Sequence, residues 1–386
     1  MRLCRPGIQS ELDRFYRDIS QDPENFVSIS KSAFSQARKK LSPEVFVELT
    51  QSQLKYFKEN APYQKSWCGL RIIAIDGSIL NLPYNEESKK YFDLLGNSES
   101  YGGLMASVST AYDLTNKLII DAAIEPYETS EISMAEKHIA KLSQGDVVVM
   151  DRGYPSVWLM SLFKKRNIDF CIRLNSTWRG SRELLKEKGE CDIDWSIDQN
   201  TTKKKPNPKF KEYDLPLKVD GVRLVCFELQ DGSRQVLVTS LSREKYNIQK
   251  IKELYGMRWQ IEENYKYLKH VLEVERFSGK SPIAIQQDFY ARIFMANMTS
   301  MISSQMTEEE LIKKNKTKNG YQINRTQATS NIRNLFIDLF KHQDPYNLLV
   351  SIGKALMKGL QQIRPGRTFK RRSRYTIRKN VTYKGL

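Results

Sequence analysis

The sequence predicts an α/β protein with a mixed sheet, a β-rich insertion and helical regions at both ends. Three observations lead there. From residue 70 the runs RIIAID, GLMASVSTAYDL and KLIIDAAI are strand-like, rich in Val, Ile, Ala and Tyr. Helical and strand-like stretches then alternate, which antiparallel sheets do not require and parallel ones do. Between residues 176 and 245 a polar, proline-bearing run and two β-rich runs interrupt that alternation. The chain has 386 residues, 40% of them hydrophobic and 10% aromatic, enough for a core and for two or three domains of roughly 100–200 residues.

In chain order, residues 1–68 form a helical region. SISKSAFSQARKKLSPEVFVELTQSQLKYF places apolar residues at helical spacing, and Ser42–Pro43 marks a break with Pro43 at a first helical position. Two basic amphipathic helices around a turn suit a DNA-contacting module; a solvated pair packed on the core fits equally. Residues 69–175 carry the first part of the core. Asp113–Lys117 predicts a hairpin turn between the second and third strands. SEISMAEKHIAKLSQ reads as a helix capped by Ser130, DVVVMD as a fully buried strand, PSVWLMSLFKKR as a helix and DFCIRL as a strand. In the 176–245 insertion, VRLVCFELQ and RQVLVTSLS make a hairpin around Asp231–Gly232. Residues 246–305 return to long helix, with a break near Gly279–Pro282. Within 306–386, residues 307–327 read as a polar linker, 328–362 as helix, and 364–386 as a tail with nine Lys or Arg and no acid. That tail suits a polyanion, and also a merely solvated terminus.

Composition narrows the chemistry. Lys and Arg number 62 against 45 Asp and Glu, a net charge of +17, so the chain should seek a polyanion. Its five cysteines are scattered without CxxC spacing, against a disulfide framework or a zinc site. With three histidines, His-rich metal ligation and a Ser-His-Asp mechanism are short of parts. No apolar run approaches the roughly 18 residues of a membrane span, and the first residues lack a signal-peptide core. The expectation is a soluble protein of a reducing compartment whose chemistry, if enzymatic, runs on carboxylates.

Two carboxylates stand out. Asp76 ends RIIAID before Gly77, and Asp151 ends DVVVMD before Arg152–Gly153. Both close buried strands, where an α/β sheet exposes side chains to a ligand crevice. Singly, a strand-ending Asp more often caps a turn. As a pair on neighbouring strands they are candidate ligands for Mg²⁺, which prefers carboxylate oxygens. Two such ions about 4 Å apart suit phosphodiester chemistry.

A third acid should come from the helix over 250–275. Tyr255, Arg258, Glu262 and Lys269 fall within an arc of about 60°, beside an apolar stripe of Leu254, Ile261, Tyr265, Leu268 and Leu272. Such an arc puts a ligand carboxylate between phosphate-binding cations. A solvated face with an Arg258–Glu262 i,i+4 pair is the plainer reading. Glu263 lies about 100° around from Glu262 and is the weaker ligand candidate, while Lys266 could join the arc.

The spacing Tyr255-x2-Arg258-x3-Glu262-x6-Lys269 resembles the Y-R-E-K signature of the insertion-sequence-four group of bacterial DDE transposases. AIDGS around Asp76, VVVMDRGYPS around Asp151, DFCIRLN with Phe170 and Arg173, and SAFSQARKKL near the start are similar to that group's other blocks, in the same order over residues 28–300. The resemblance implies a ribonuclease H-like core with a five-stranded mixed sheet, helices on both sides, and a β-rich insertion at 176–245. It implies Asp76, Asp151 and Glu262 as catalytic metal ligands for two Mg²⁺ ions, with Mn²⁺ as an alternative. Tyr255, Arg258, Lys269 and Arg173 would bind DNA. Partners would be double-stranded transposon ends and target DNA, in a homodimer, in the bacterial cytoplasm at the nucleoid, without a membrane. Trp178, Trp195 and Trp259 are available to receive a flipped base, though each also suits sheet or core packing.

The expected function is cut-and-paste transposition by metal-dependent hydrolysis and strand transfer. A nuclease on the same core, cutting without strand transfer, would share the triad. A non-catalytic DNA-binding relic would keep the charge without needing the acids, all three of which are present.

Overall fold

The computed structural model describes residues 7–20, 22, 24–60, 65–96, 103–199, 205–304, 321–341 and parts of 352–362. Most of the expected linker (307–327) and the whole basic tail (364–386) lie outside them. The chain opens with α1 (Ile8–Ile19), α2 (Lys31–Arg38) and α3 (Glu44–Asn60), and α3 starts directly after Pro43. The core follows: β1 (Ile72–Asn81), α4 (Glu86–Phe92), β2 (Met105–Asp113), β3 (Leu118–Pro126), α5 (Glu131–Ile139), β4 (Val147–Met150), α6 (Val157–Lys165) and β5 (Asp169–Leu174). The insertion holds α7 (Arg179–Leu184), β6 (Cys191–Asp198), α8 (Lys209–Glu212), β7 (Lys218–Glu228) and β8 (Arg234–Thr239). Then come α9 (Ile248–Met257), α10 (Trp259–His270), α11 (Pro282–Ser304), β9 (Tyr321–Ile323), α12 (Arg325–Lys341) and β10 (Leu360–Gln362). No helix among the described residues is long and apolar enough to cross a membrane.

Local chemistry sets several boundaries. Between β2 and β3, Asp113 Oδ1 accepts the Thr115 and Asn116 N–H groups, and Lys117 takes the left-handed conformation (φ 59°). Ser130 Oγ accepts the Ser133 N–H and caps α5. Gly232 turns β7 into β8 at φ 78°, a conformation that glycine adopts without a Cβ clash.

The strands form one sheet in the order β3-β2-β1-β4-β5-β8-β7-β6. β3, β2 and β1 are antiparallel, and β1, β4 and β5 are parallel. This first half has the mixed order expected of a ribonuclease H-like core. The five-stranded expectation needs correction, however, because the sheet has eight strands. β5 would otherwise leave a row of unpaired N–H and C=O groups. Instead β8 pairs with it antiparallel, Cys171 to Thr239 through Leu174 to Val236, and carries β7 and β6 outward. The insertion therefore continues the core sheet.

Strand alternation divides the core into two layers. Ile72, Ala74, Val147 and Val149 face Leu254, Ile261, Tyr265 and Phe289 of α9, α10 and α11. Ile73, Ile75, Val148 and Met150 face Ala135 and Ile139 of α5 and the apolar side of α6. Burial on both faces explains why β4 reads as an unbroken apolar run. The N-terminal helices are tied to this body by Arg38, whose guanidinium reaches Gln287, Ser278, the Ala284 carbonyl (2.9 Å) and Asp288 (2.8 Å).

β3 is the edge strand, and α11 covers it. The buried Asn297 side chain accepts the Ile119 N–H and donates to the Ile119 carbonyl, each at 2.8 Å. Asn297→Ala leaves both peptide groups buried without partners. It should lower unfolding free energy by about 2–3 kcal/mol, measured by denaturant titration; a loss below 0.5 kcal/mol, about a third of one such group's usual cost, would show that this contact is not holding the edge.

Candidate active site

The register of the parallel strands builds the site. β1 pairs with β4 through Ile72–Val147, Ile73–Val148 and Ala74–Val149. β4 pairs with β5 through Val149–Cys171 and Met150–Ile172. Continuing the same offsets past the end of β4 sets Asp76, Asp151 and Arg173 in one row across three strands. Neighbouring strands are about 4.8 Å apart, so the two acids are neighbours. Asp151 follows the end of β4 as expected, but Asp76 does not close its strand: β1 runs on to Asn81 beside β2 after its pairing with β4 stops at Ala74. Both have the parity of Ala74 and Val149, which face α9 and α10.

The helix expected over 250–275 is interrupted. α9 ends at Met257, Arg258 is a one-residue joint (φ −51°, ψ −32°), and α10 begins at Trp259. The joint keeps helical dihedrals, so the side chains of the Tyr-Arg-Glu-Lys arc stay on the strand-end side. Tyr255 Oη donates to Asp151 Oδ1 at 3.4 Å. Arg258 Nη2 donates to Glu262 Oε1 at 2.9 Å, and its Nη1 lies 3.8 Å from Asp76 Oδ2. Lys269 Nζ donates to the Ile79 carbonyl at 2.7 Å, further along β1. Arg173 lies within electrostatic reach of Tyr255. The structure thus gathers Asp76, Asp151, Glu262, Tyr255 and Arg258. Lys269 meets the same strand three residues beyond Asp76. Glu263 and Lys266 pair with each other on the exposed side.

The Asp76 backbone is pinned from the α10 layer and from the neighbouring strand β2. Its carbonyl accepts from Tyr265 Oη (2.7 Å) and Ser109 Oγ (3.2 Å). Tyr265 Oη in turn accepts from Thr110 Oγ1 at 3.2 Å. Ser109 Oγ also lies 3.0 Å from Nε2 of His138, whose Nδ1 lies 2.7 Å from Asp121 Oδ2. This Ser-His-Asp chain has the connectivity of a hydrolytic triad, but Ser109 and His138 are wholly buried, so it holds β1 and reaches no substrate. Tyr265 read in the sequence as part of the apolar stripe. Its ring does pack in the core, while its hydroxyl joins the helix carrying Glu262 to the strand carrying Asp76.

Burial sets the electrostatics, and the neighbouring charges modulate it. Burial pushes the Asp76 carboxyl up to about 6; Arg258 and the Gly77 N–H oppose this, and the charges of Glu131 and Asp151 add to it. Glu131, the first residue of α5, is also raised, by desolvation and then by Asp151. No sequence motif pointed to Glu131. Burial, followed by the Asp151 charge, raises Tyr255. Arg258 is held up despite its own desolvation by Tyr255, Glu262, Asp151 and Asp76. Among the described residues no three acidic, His or Cys side chains form a ready-made metal cluster, and Glu262 is paired with Arg258.

Beside Asp151 a groove runs from Ser130, Arg152 and Gly153 across the insertion to Trp178, Trp195 and Lys205–Lys209. Trp178 and Trp195 meet edge to face at 6.2 Å. Trp259 is half exposed under the Lys266 ammonium, 5.4 Å from the ring centre.

A carboxyl whose folded pKa is raised adds stability that is complete below its unfolded value and lost as pH rises through its folded value. For Asp76 the window runs from 3.8 to about 6. In EDTA, Asp76→Asn should therefore match wild type in thermal stability near pH 4, and exceed it by about 1–3 kcal/mol at pH 7. A constant difference across that range would mean that Asp76 is not destabilised by its charge.

Three comparisons bear on this geometry. Residues 67–298, more than half of the chain and including Asp76, Asp151 and Glu262, match the model of the transposase DDE domain family. Over 295 residues the chain is 24% identical to the transposase InsG for insertion sequence element IS4 of Escherichia coli (strain K12), with 74% of this chain and 64% of that protein aligned. The chain thus spans less than two thirds of that relative's length. Among solved structures, a piggyBac transposase synaptic complex with hairpin DNA aligns at a TM-score of 0.42 and 12% identity, over 88% of this chain and 67% of that one. The NurA nuclease from Sulfolobus solfataricus aligns at 0.24 and 12% identity, over 75% of this chain and 99% of that one. On the family match over residues 67–298, the chain belongs to the transposase DDE domain family.

Proposed function

We propose that this protein is a DDE transposase that moves an insertion sequence by cutting DNA at the element's ends and joining them to target DNA. The observation that carries the reading is the row of Asp76, within β1, and Asp151, just past β4, with Glu262 and Arg258 facing it from α10 and its N-terminal joint. Family membership implies divalent-metal dependence, and the donor set fits a hard cation. It consists of carboxylate oxygens without His or Cys, and burial, which raises the Asp76 carboxyl, makes its charged form one that a bound cation would stabilise. Asp76, Asp151 and Glu262 would hold two Mg²⁺ ions, or Mn²⁺. Bound there, the metal supplies Lewis-acid activation of a water or 3′-hydroxyl and of the leaving oxygen.

The remaining residues position the substrate. Arg258 stands between Asp76 and Glu262, where its guanidinium can turn from the carboxylates to a phosphate. Lys269 and Arg173 extend the positive charge along β1 and β5. Tyr255 keeps Asp151 oriented through its hydroxyl. The groove beside Asp151 continues this surface past two tryptophans, which offer stacking faces to unpaired bases. The net charge of +17 suits DNA along a longer track, and a homodimer would let each subunit serve the other's DNA end.

The test places a marker gene between this gene's own flanking DNA in a bacterial plasmid and scores excision and reinsertion. Wild type should move the marker, while Asp76→Ala, Asp151→Ala and Glu262→Ala should each abolish cutting and retain DNA binding. Cutting without reinsertion would favour a nuclease, and end binding without cutting a relic. Arg258→Ala and Lys269→Ala should each flatten the salt dependence of end binding by about one charge. An unchanged slope would remove that residue from the phosphate contacts.

A further inference from the structure

We propose that Glu131 is a fourth carboxylate of the metal site, seated between β1 and the loop after β4 by the glycines that follow Asp76 and Asp151. The proposal rests on the metal-dependent reading above and adds a residue to it.

The seat is specific. A Cβ built on Gly77 would meet Glu131 Oε1 at 3.0 Å, and a Cβ on Gly153 would meet Glu131 Oε2 at 3.0 Å. Each carboxylate oxygen therefore lies over one glycine, one residue past Asp76 and two past Asp151. Neither glycine has a positive φ, so neither is required by backbone conformation. What their missing side chains provide is room for this carboxylate.

The plainer reading is an acid that complements the helix dipole at the start of α5. Such an acid is normally stabilised in its charged form. Here the carboxyl is shifted the opposite way, because it is partly desolvated and shares the space with Asp151. Among the described residues no hydrogen bond or ion pair compensates it. Ser130 caps the helix and fixes where Glu131 starts, so the side chain is aimed by the fold. Glu262 approaches the two Asp residues from the α10 side of the sheet, and Glu131 from the α5 side. Four carboxylates would then close around the cation from both layers.

The test measures Mn²⁺ binding to the full chain by the loss of the free-ion electron paramagnetic resonance signal, with Asp151→Asn as reference. Glu131→Gln keeps the side chain's size on an exposed helix start, and its melting temperature in EDTA should stay at or above wild type. Its Mn²⁺ affinity should fall by about 10–100-fold. Gly153→Ala should push the carboxylate aside and weaken Mn²⁺ binding to a smaller extent, with little further effect when combined with Glu131→Gln. Normal affinity in Glu131→Gln alongside a loss in Asp151→Asn overturns the role of Glu131 alone. Normal affinity in both overturns the metal reading, and the proposal with it.

Discussion

The parallel ladder between β1 and β4 is the constraint on which the site depends. It pairs only three residues on each strand, yet its offset aligns Asp76 with Asp151 across a chain separation that no local interaction spans. A slip of one residue would turn Asp76 to the opposite face and bury it under α5. That slip is opposed because it would bury a carboxylate and exchange side chains between two differently packed layers. Ile72 and Ala74 fit one helix layer, and Ile73 and Ile75 fit the other. Core packing on two sides thus determines where two charged groups meet. The pinned carbonyl of Asp76, held by Tyr265 and Ser109, extends the same control beyond the last pair of the ladder.

Placing several acids at one strand edge is unfavourable in itself, and the fold answers with Arg258. Its guanidinium is half-buried at the joint between α9 and α10, close to Asp76 and bonded to Glu262. A continuous helix would present the same residues in the same arc, but the joint sits where Arg258 must serve two carboxylates from different elements. The arginine opposes the rise of the Asp76 carboxyl, but burial outweighs it and keeps that carboxyl raised. Carboxyls perturbed by burial together with a specific charge partner cluster at functional sites.

The insertion shows how a local addition changes the global sheet. β8 docks on the free edge of β5, and β7 and β6 follow, so eight strands run continuously from the covered edge at β3 to the insertion's own rim. This removes an exposed edge and carries Trp178 and Trp195 to the wall of the groove beside Asp151. A buried Arg223 secures the far side by bonding Asp192 and the carbonyls of Leu241 (2.8 Å) and Tyr246. The insertion is therefore braced against the segment that leads into α9.

By itself the sequence determined the class of the fold, the strands of its core and the helices between β3 and β5, several turns and caps, and the two acids that the β1–β4 offset aligns; α4, α7, β6 and α8 were not legible in it, and β1 runs on past Asp76 to Asn81. The legible features are local quantities: period-2 and period-3.6 patterns, an Asx turn at Asp113, a Ser130 cap, a Gly232 turn. The arc from Tyr255 to Lys269 was legible because helical geometry is regular over two turns, even across the joint at Arg258. Tertiary structure alone decided that the insertion joins the core sheet, since edge pairing depends on which strand remains uncovered. It also decided that Tyr265 is both a core ring and a hydrogen-bond donor, because burial does not reveal where a hydroxyl points. And it alone brought Glu131 over Gly77 and Gly153, a contact between three separated segments with no period to announce it.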